Sequence, residues 1–257
     1  MVFDAARFRA ESNKRRPELG RPLMYQPVTG STNDDALLAA RSGAPHGSVF
    51  LADEQTAGRG RRGHAWLAAP GQSLLLSVLL RPKLELAQVS ALTLAVGLAL
   101  RDAIVPLIST VPEIKWPNDL LANGKKLAGV LVESQLQGDR LQAVIIGVGL
   151  NVTTREFPGE IAATATSLAL LGAARLEREA LLFELLDAIA VRVTAYQSQG
   201  LSSLLNELNA VDALRGKRVR VEGTTGVGRG LDEQGRLLIE DEQQTLHAIL
   251  SGTVELL

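Results

Sequence analysis

The stretch "KWPNDLLANGKKLAGVLVES" (115–134), followed closely by "LQAVIIGVGLNV" (141–152), narrows the choice of folds most. It reads as strand, turn, hairpin and strand, and then a further apolar strand. The hairpin signal is Asn123-Gly124, a pair that accepts the positive φ angles of a tight turn. Earlier, "GSVFLADEQ" (47–55) and "QSLLLSVLLRP" (72–82) read as short apolar strands, the second ended by proline. Helical patterns occupy 31–41, 85–108 and 174–197. The first opens on Ser, Thr or Asn and carries two acids in its first turn, as helix starts do. Strands joined by hairpins, without regular strand–helix alternation, predict an α+β fold with a mixed, mostly antiparallel sheet and flanking helices. Past residue 210 the texture becomes short alternating runs punctuated by Gly and Asp. That predicts a small β-barrel of about 45 residues, so the expected domains are 1–210 and 211–257.

Composition excludes several chemistries. The 257 residues contain no cysteine, which removes disulfides, thiolate nucleophiles and cysteine zinc sites. His46, His64 and His247 are far apart and show no metal-binding spacing, so no protein metal site is expected. A net charge of −1 supplies no global field toward nucleic acid or acidic lipid. The first twenty residues carry scattered charges and no apolar core, unlike a signal peptide. The run from Leu86 to Leu100 falls short of the ~18–20 residues of a membrane span. A soluble cytoplasmic protein without membrane association is the expectation.

"TAGRGRRGHAW" (56–66) contains a GxGxxG string, but its context is wrong for a dinucleotide fingerprint. No helix can follow, because Pro70-Gly71 intervenes and a strand comes next. The acid expected about 20 residues on is also absent. Arg59, Arg61 and Arg62 then read either as a solvated basic loop or as a loop that wraps an anion. Glycines permit close backbone approach, and guanidinium groups bind phosphate or carboxylate in bidentate fashion. The second cluster is Lys115, Asn118 and Asp119 around Pro117, with Lys125 and Lys126 before Leu127-Ala128-Gly129. A lysine at the mouth of a strand beside glycine suits a phosphate. An ordinary basic hairpin edge gives the same pattern, and Asp119 reads equally as a partner in a surface ion pair.

"STNDDA" (31–36), "ADEQTAGRGRRGHAW" (52–66), the 115–134 stretch and "GVGLNV" (147–152) together resemble biotin–protein ligases in order and approximate spacing. "GKRVRVEGTTGVGRGLDEQGRLLI…SGTV" is similar to the small SH3-like domain that ends those enzymes. The resemblance covers nearly everything after residue 23. It implies a class II synthetase-like catalytic domain and an ATP-dependent ligase. Biotin is activated as biotinyl-5′-AMP, then transferred to a lysine of a biotin carboxyl carrier protein. Biotin and ATP are substrates, Mg2+ accompanies ATP, and no tightly bound cofactor is implied.

Carried over position by position, Ser31, Thr32 and Asn33 would bond the ureido ring, and Gln55 would help hold the biotin end. Arg59, Gly60 and Arg61 would close over biotin and the adenylate phosphate, Arg61 as the principal phosphate contact. Lys126 would sit between biotin's carboxylate and the α-phosphate. Gly129, Gly147 and Gly149 would let backbone approach the ligand, and Asn151 would contact adenine. Trp66 would wall the acyl chain or serve as a core tryptophan. Lys115, Asn118 and Asp119 would position phosphate or acceptor. His64 departs from the Arg or Lys of many members and slightly lowers the loop's charge. The roughly 30 residues before "STN" lack room and pattern for a supported recognition helix, so operator binding is not expected. An exposed strand edge would suit a homodimer. The alternatives are a lipoate–protein ligase or octanoyl transferase, a non-enzymatic biotin or nucleotide sensor, and a DNA-binding regulator.

Overall fold

A computed structural model describes residues 2–15 and 17–257. Helix α1 (Ala5–Arg15) precedes strand β1 (Leu23–Thr29), helix α2 (Thr32–Arg41) and strand β2 (Val49–Gln55). Because α2 crosses over between them, β1 and β2 pair in parallel. Then come β3 (Ser73–Leu80), α3 (Leu92–Ile104), β4 (Glu113–Lys115), β5 (Asp119–Ala122), β6 (Lys125–Gln137) and β7 (Arg140–Asn151). These strands make one seven-stranded sheet in the order β1-β2-β3-β7-β6-β5-β4, antiparallel everywhere except β1–β2. Asn123 and Gly124 sit at φ 51° and 73°, the two positive angles the hairpin between β5 and β6 requires.

The sheet is covered on both faces. Helices α3 and α4 (Arg178–Gln199) pack on one side, and α2 lies on the other. Ala36 and Ala40 of α2 meet Phe50, Leu79 and Ile145 there. Burial on both faces is why β3 reads as a nearly continuous apolar run, with all eight residues buried. After α5 (Ser202–Ala210), β8 (Arg218–Val221), β9 (Thr224–Leu231), β10 (Leu237–Glu240), β11 (Leu246–Ile249) and β12 (Val254–Leu256) form a second sheet. Its order is β11-β10-β9-β8-β12, all antiparallel, and its two ends do not pair, so the sheet is open where the sequence predicted a barrel. Trp116 Nε1 donates to Gly235 O at 3.0 Å and ties the two sheets together.

The sequence also overestimated the helix at 85–108. Glu85 and Gln88 form a reciprocal capping pair around a separate 3-10 turn, and α3 begins only at Leu92. Near its end Pro106 lacks an N–H, and the chain tightens into another 3-10 turn at 105–107. The amphipathic helix expected at 174–197 starts later, at Arg178, and ends against Gly200 at φ 71°. Helices α1 and α5 and strand β1 are additional to the expected elements. Among the described residues no helix is long and apolar enough to cross a membrane.

Candidate active site

The start of α2, the end of β2, the 56–66 loop, the β4–β5 turn and the middles of β6 and β7 surround one cleft of about 260 Å³. It gathers Ser31, Thr32, Asn33, Gln55, Arg59, Gly60, Arg61, Lys115, Asn118, Asp119, Lys126 and Gly129, residues up to 98 positions apart in sequence. His64, Trp66, Gly147 and Gly149 line it too, and Gly252, Thr253 and Val254 of the second sheet close one side. Asn151 is not among the lining residues. It is buried, its Nδ2 donating to Thr166 O at 3.0 Å and its Oδ1 accepting from Ser73 at 3.4 Å.

One end of the cleft is a neutral polar cluster at the N-terminus of α2. Ser31 has the extended backbone of an N-cap but makes no capping bond with its side chain. Thr32 donates through both its backbone N–H and its hydroxyl to Gln55 Oε1, at 2.7 and 3.0 Å. That consumes the amide oxygen and leaves Nε2 as the donor Gln55 can offer. Asn33 Nδ2 donates to Glu133 Oε2 at 2.6 Å, which orients the amide and turns Oδ1 toward the Ser77 hydroxyl at 2.5 Å. Ser77 also stands 2.8 Å from Thr32 Oγ1, and its single proton serves one of the two neighbours at a time.

The 56–66 loop is a small hairpin rather than an open coil. Trp66 N–H donates to Gly58 O at 2.9 Å, and Gly60 N–H donates to His64 O at 2.6 Å. The tip is a 3-10 turn at 61–63 with Arg62 at φ 54°. The arginines diverge from it. Arg59 reaches Asp34 at 2.5 Å and Glu133 at 3.3 Å. Arg62 reaches Glu222 of the second sheet's β8–β9 turn at 2.6 Å. Among the described residues Arg61 and Lys115 form no ion pair. Burial, then the neighbouring Arg62, hold the Arg61 guanidinium below its ordinary value, with Asp119 opposing. It nevertheless stays cationic at neutral pH.

Lys126 is the other cation at this end. Its Nζ lies 2.7 Å from Asp119 Oδ1 and 5.4 Å from the centre of the Trp66 ring. Asn118 pins the turn before it: its Nδ2 donates to Val130 O at 3.0 Å, and its own carbonyl accepts from Val130 N–H at 2.9 Å. The glycines have specific neighbours. A methyl group on Gly147 would lie 2.3 Å from Asn33 Oδ1, and one on Gly149 would lie 2.4 Å from Trp66 Cε2. Only hydrogen there lets those side chains lie flat on the sheet. The indole N–H of Trp66 is buried without a partner among the described residues. The cleft thus offers hydrogen bonds at one end, an aromatic wall in the middle and cations at the other. It suits an elongated ligand with a polar head and an anionic tail.

Ser77, Glu133, Asp34 and the 252–254 segment were not singled out from sequence. Ser77 had a signal, a lone hydroxyl at the centre of "SLLLSVLL". Glu133 is the first charge after an apolar strand, an ordinary strand end until Arg59 and Asn33 are brought to it.

Residues 25–151 match the family model of the biotin/lipoate A/B protein ligases, and residues 215–257 match that of the biotin protein ligase C-terminal domain. The chain is 36% identical over 244 residues to the bifunctional ligase/repressor BirA of Bacillus spizizenii, covering 93% of this chain and 75% of the relative. It is 39% identical over 238 residues to the biotin–[acetyl-CoA-carboxylase] ligase of Mycobacterium tuberculosis, covering 89% and 86%. The solved biotin protein ligase of Aquifex aeolicus in complex with biotin and ATP superposes with a TM-score of 0.78 at 32% identity, over 91% of this chain and 97% of that one. This chain therefore belongs to the biotin/lipoate A/B protein ligase family, with both its catalytic and its C-terminal domains. Within that family the Mycobacterium and Aquifex relatives are biotin ligases, and the Bacillus one is a ligase/repressor.

Proposed function

We propose that the chain is an ATP-dependent biotin–protein ligase whose acceptor is a biotin carboxyl carrier protein or domain. The observation that carries this reading is one cleft joining a hydrogen-bonding cluster (Ser31, Thr32, Asn33, Gln55) to a cationic end (Arg61, Lys126). A carboxylate oxygen of biotin attacks the α-phosphorus of ATP, which enters with its magnesium, and pyrophosphate leaves. The neutral amine of the acceptor lysine then attacks the carbonyl carbon of the mixed anhydride. AMP leaves, and the nitrogen loses its proton. No nucleophilic side chain is required; positioning and charge neutralisation supply the catalysis.

In this reading Ser31 and the Gln55 amide meet the ureido ring, with Thr32 and Asn33 fixing their geometry. Trp66 walls the acyl chain. Arg61 and Lys126 hold the carboxylate against the α-phosphate. Arg59 and Gly60 shape the covering loop, and Gly129 keeps β6 close to the ligand. Lys115 steers the triphosphate. Asn118 holds the turn that presents Asp119, and Asp119 orients the incoming lysine through its contact with Lys126. Asn151, carried over as the adenine contact, is instead read as fixing the end of β7 through Ser73 and Thr166.

The domains divide at 210/211, and the five short C-terminal strands are read as an SH3-like unit. The protein works in the cytoplasm, and α1, the helix before β1, is read as part of the catalytic domain rather than as a recognition helix: it stacks Phe8 on Phe183 of α4, with centroids 4.1 Å apart. Residues of β6 past Val130 have no partner from β5, which supports a homodimer paired along that edge.

The test is ATP–pyrophosphate exchange with biotin, lipoate and octanoate in parallel. Exchange driven by biotin alone is expected; exchange driven by lipoate instead would move the chain to the other branch of its family. A folded protein that binds biotin without exchange would refute ligase chemistry.

A further inference from the structure

Arg59 was expected to reach the adenylate, yet its guanidinium is engaged elsewhere. It lies between two carboxylates, Asp34 at 2.5 Å and Glu133 at 3.3 Å. Asp34 stands in the first turn of α2, directly after the Ser31–Asn33 cluster. Glu133 lies on β6 beyond the cleft, and its carboxylate also takes the Asn33 amide at 2.6 Å. Glu133 is the more shielded acid, its side chain 27% exposed against 57% for Asp34. Arg59 itself sits between the two rungs of the 58–66 hairpin, bridged to Ala65. One carboxylate therefore joins the hairpin covering the cleft to the asparagine beneath it.

We propose that Asp34 and Glu133 form a clasp on Arg59 that holds the 58–66 hairpin over biotin, and that Glu133 is the positioning residue coupling this cover to Asn33. Glu133 acts through Arg59 and Asn33 and touches no substrate. The clasp also turns Arg59 away from the reacting end, where Arg61, Lys115 and the Asp119-paired Lys126 line the cleft. The inference rests on the ligase reading for the identity of the ligand, while the clasp itself is made of protein side chains alone.

Glu133→Gln separates the two contacts, because the amide keeps an oxygen for Asn33 and loses the charge that holds Arg59. In biotin-dependent pyrophosphate exchange, the KM for biotin is expected to rise about tenfold while kcat stays within about twofold, the pattern of lost binding rather than lost chemistry. In the ligand-free protein, amide exchange of residues 58–66 is expected to quicken about tenfold, with α4 unchanged. Arg59→Gln should match both effects, and the double variant should be no worse than Arg59→Gln alone, as expected of one shared interaction. Asp34→Asn, on the surface, probes the same guanidinium should Glu133→Gln fold poorly. The proposal is overturned if 58–66 exchanges at the wild-type rate in Glu133→Gln and Asp34→Asn, or if the effects of Glu133→Gln and Arg59→Gln multiply. If biotin drives no exchange in the wild type, the ligase reading fails, and hydrogen exchange still decides the clasp.

Discussion

Gly147→Ala should damage both stability and biotin binding, and the geometry says why. A methyl group there would lie 2.3 Å from Asn33 Oδ1 and 2.9 Å from its Cγ and Nδ2. Comfortable contact needs about 3.5 Å, so something must move by about an ångström. The backbone is poorly placed to yield, because β7 at Gly147 pairs with Ser77 on one side and Leu131 on the other. Asn33 must therefore swing out and lose its bonds to Glu133 and Ser77. One charge-assisted bond and one neutral bond are worth about 2–4 kcal/mol together. At about 2–4 °C per kcal/mol for a chain of this size, the melting temperature should fall by roughly 5–15 °C. Calorimetric titration should show biotin affinity reduced about a hundredfold, since the neighbouring polar cluster is no longer fixed. The control is the same substitution on an Asn33→Ala background, which removes Oδ1, Cγ and Nδ2, the three nearest atoms. There Gly147→Ala should cost less than about 0.5 kcal/mol. Equal cost on both backgrounds would refute the argument.

Other expectations concern separate parts of the molecule. Lys126→Ala should lower the rate of adenylate formation about 10³-fold while biotin binding weakens less than about tenfold, measured by single-turnover assay and titration; equal losses would deny Lys126 a role in the charge developing at phosphorus. Arg192 bridges α3, α4 and α5, bonding Asp102 at 2.6 and 3.0 Å and Glu207 at 2.7 and 2.8 Å, and these acids hold its pKa well above the ordinary value. Arg192→Ala should cost about 2 kcal/mol in a denaturant titration, by leaving Asp102 without its arginine and Glu207 with only Arg101 at 3.8 Å, with kcat unchanged. Asp212 has its carboxyl raised chiefly by burial, against the Leu214 N–H, Arg215 and Lys217. A carboxyl raised in the folded state stabilises below its unfolded pKa and loses that contribution as pH rises through the folded one. Asp212→Asn, which keeps the oxygen that accepts from Leu214 N–H, should therefore melt higher than the wild type at neutral pH, and the advantage should vanish below about pH 4. A melting difference that is flat with pH would contradict this.

The local grammar of the chain determined much of what folded. Asn123-Gly124 specified a hairpin because few other residues accept two positive φ angles, and the apolar run of β3 announced a strand buried on both faces. The rejection of a dinucleotide loop also stood on local grounds, since a strand and not a helix follows residue 66. The arginine–glycine loop and the cluster from Lys115 to Gly129 could be named as candidates from residue type and spacing, and Ser31, Thr32, Asn33 and Gln55 only through the resemblance to biotin–protein ligases. Their roles could not, because those depend on which partners arrive from distant segments. Arg59, Arg61 and Arg62 look alike in "GRGRRG", yet one is held by Asp34 and Glu133, one by Glu222, and one faces the cleft with no ion pair among the described residues. Gly147 and Gly149 were expected to admit a ligand, and they admit Asn33 and Trp66. The α3 boundaries and the open C-terminal sheet escaped for the same reason: capping pairs and strand closure depend on contacts that periodicity does not encode. Residue type sets which bonds a side chain can make, and only the tertiary fold, by bringing β6 beneath the loop and the second sheet beside it, decides which of them form.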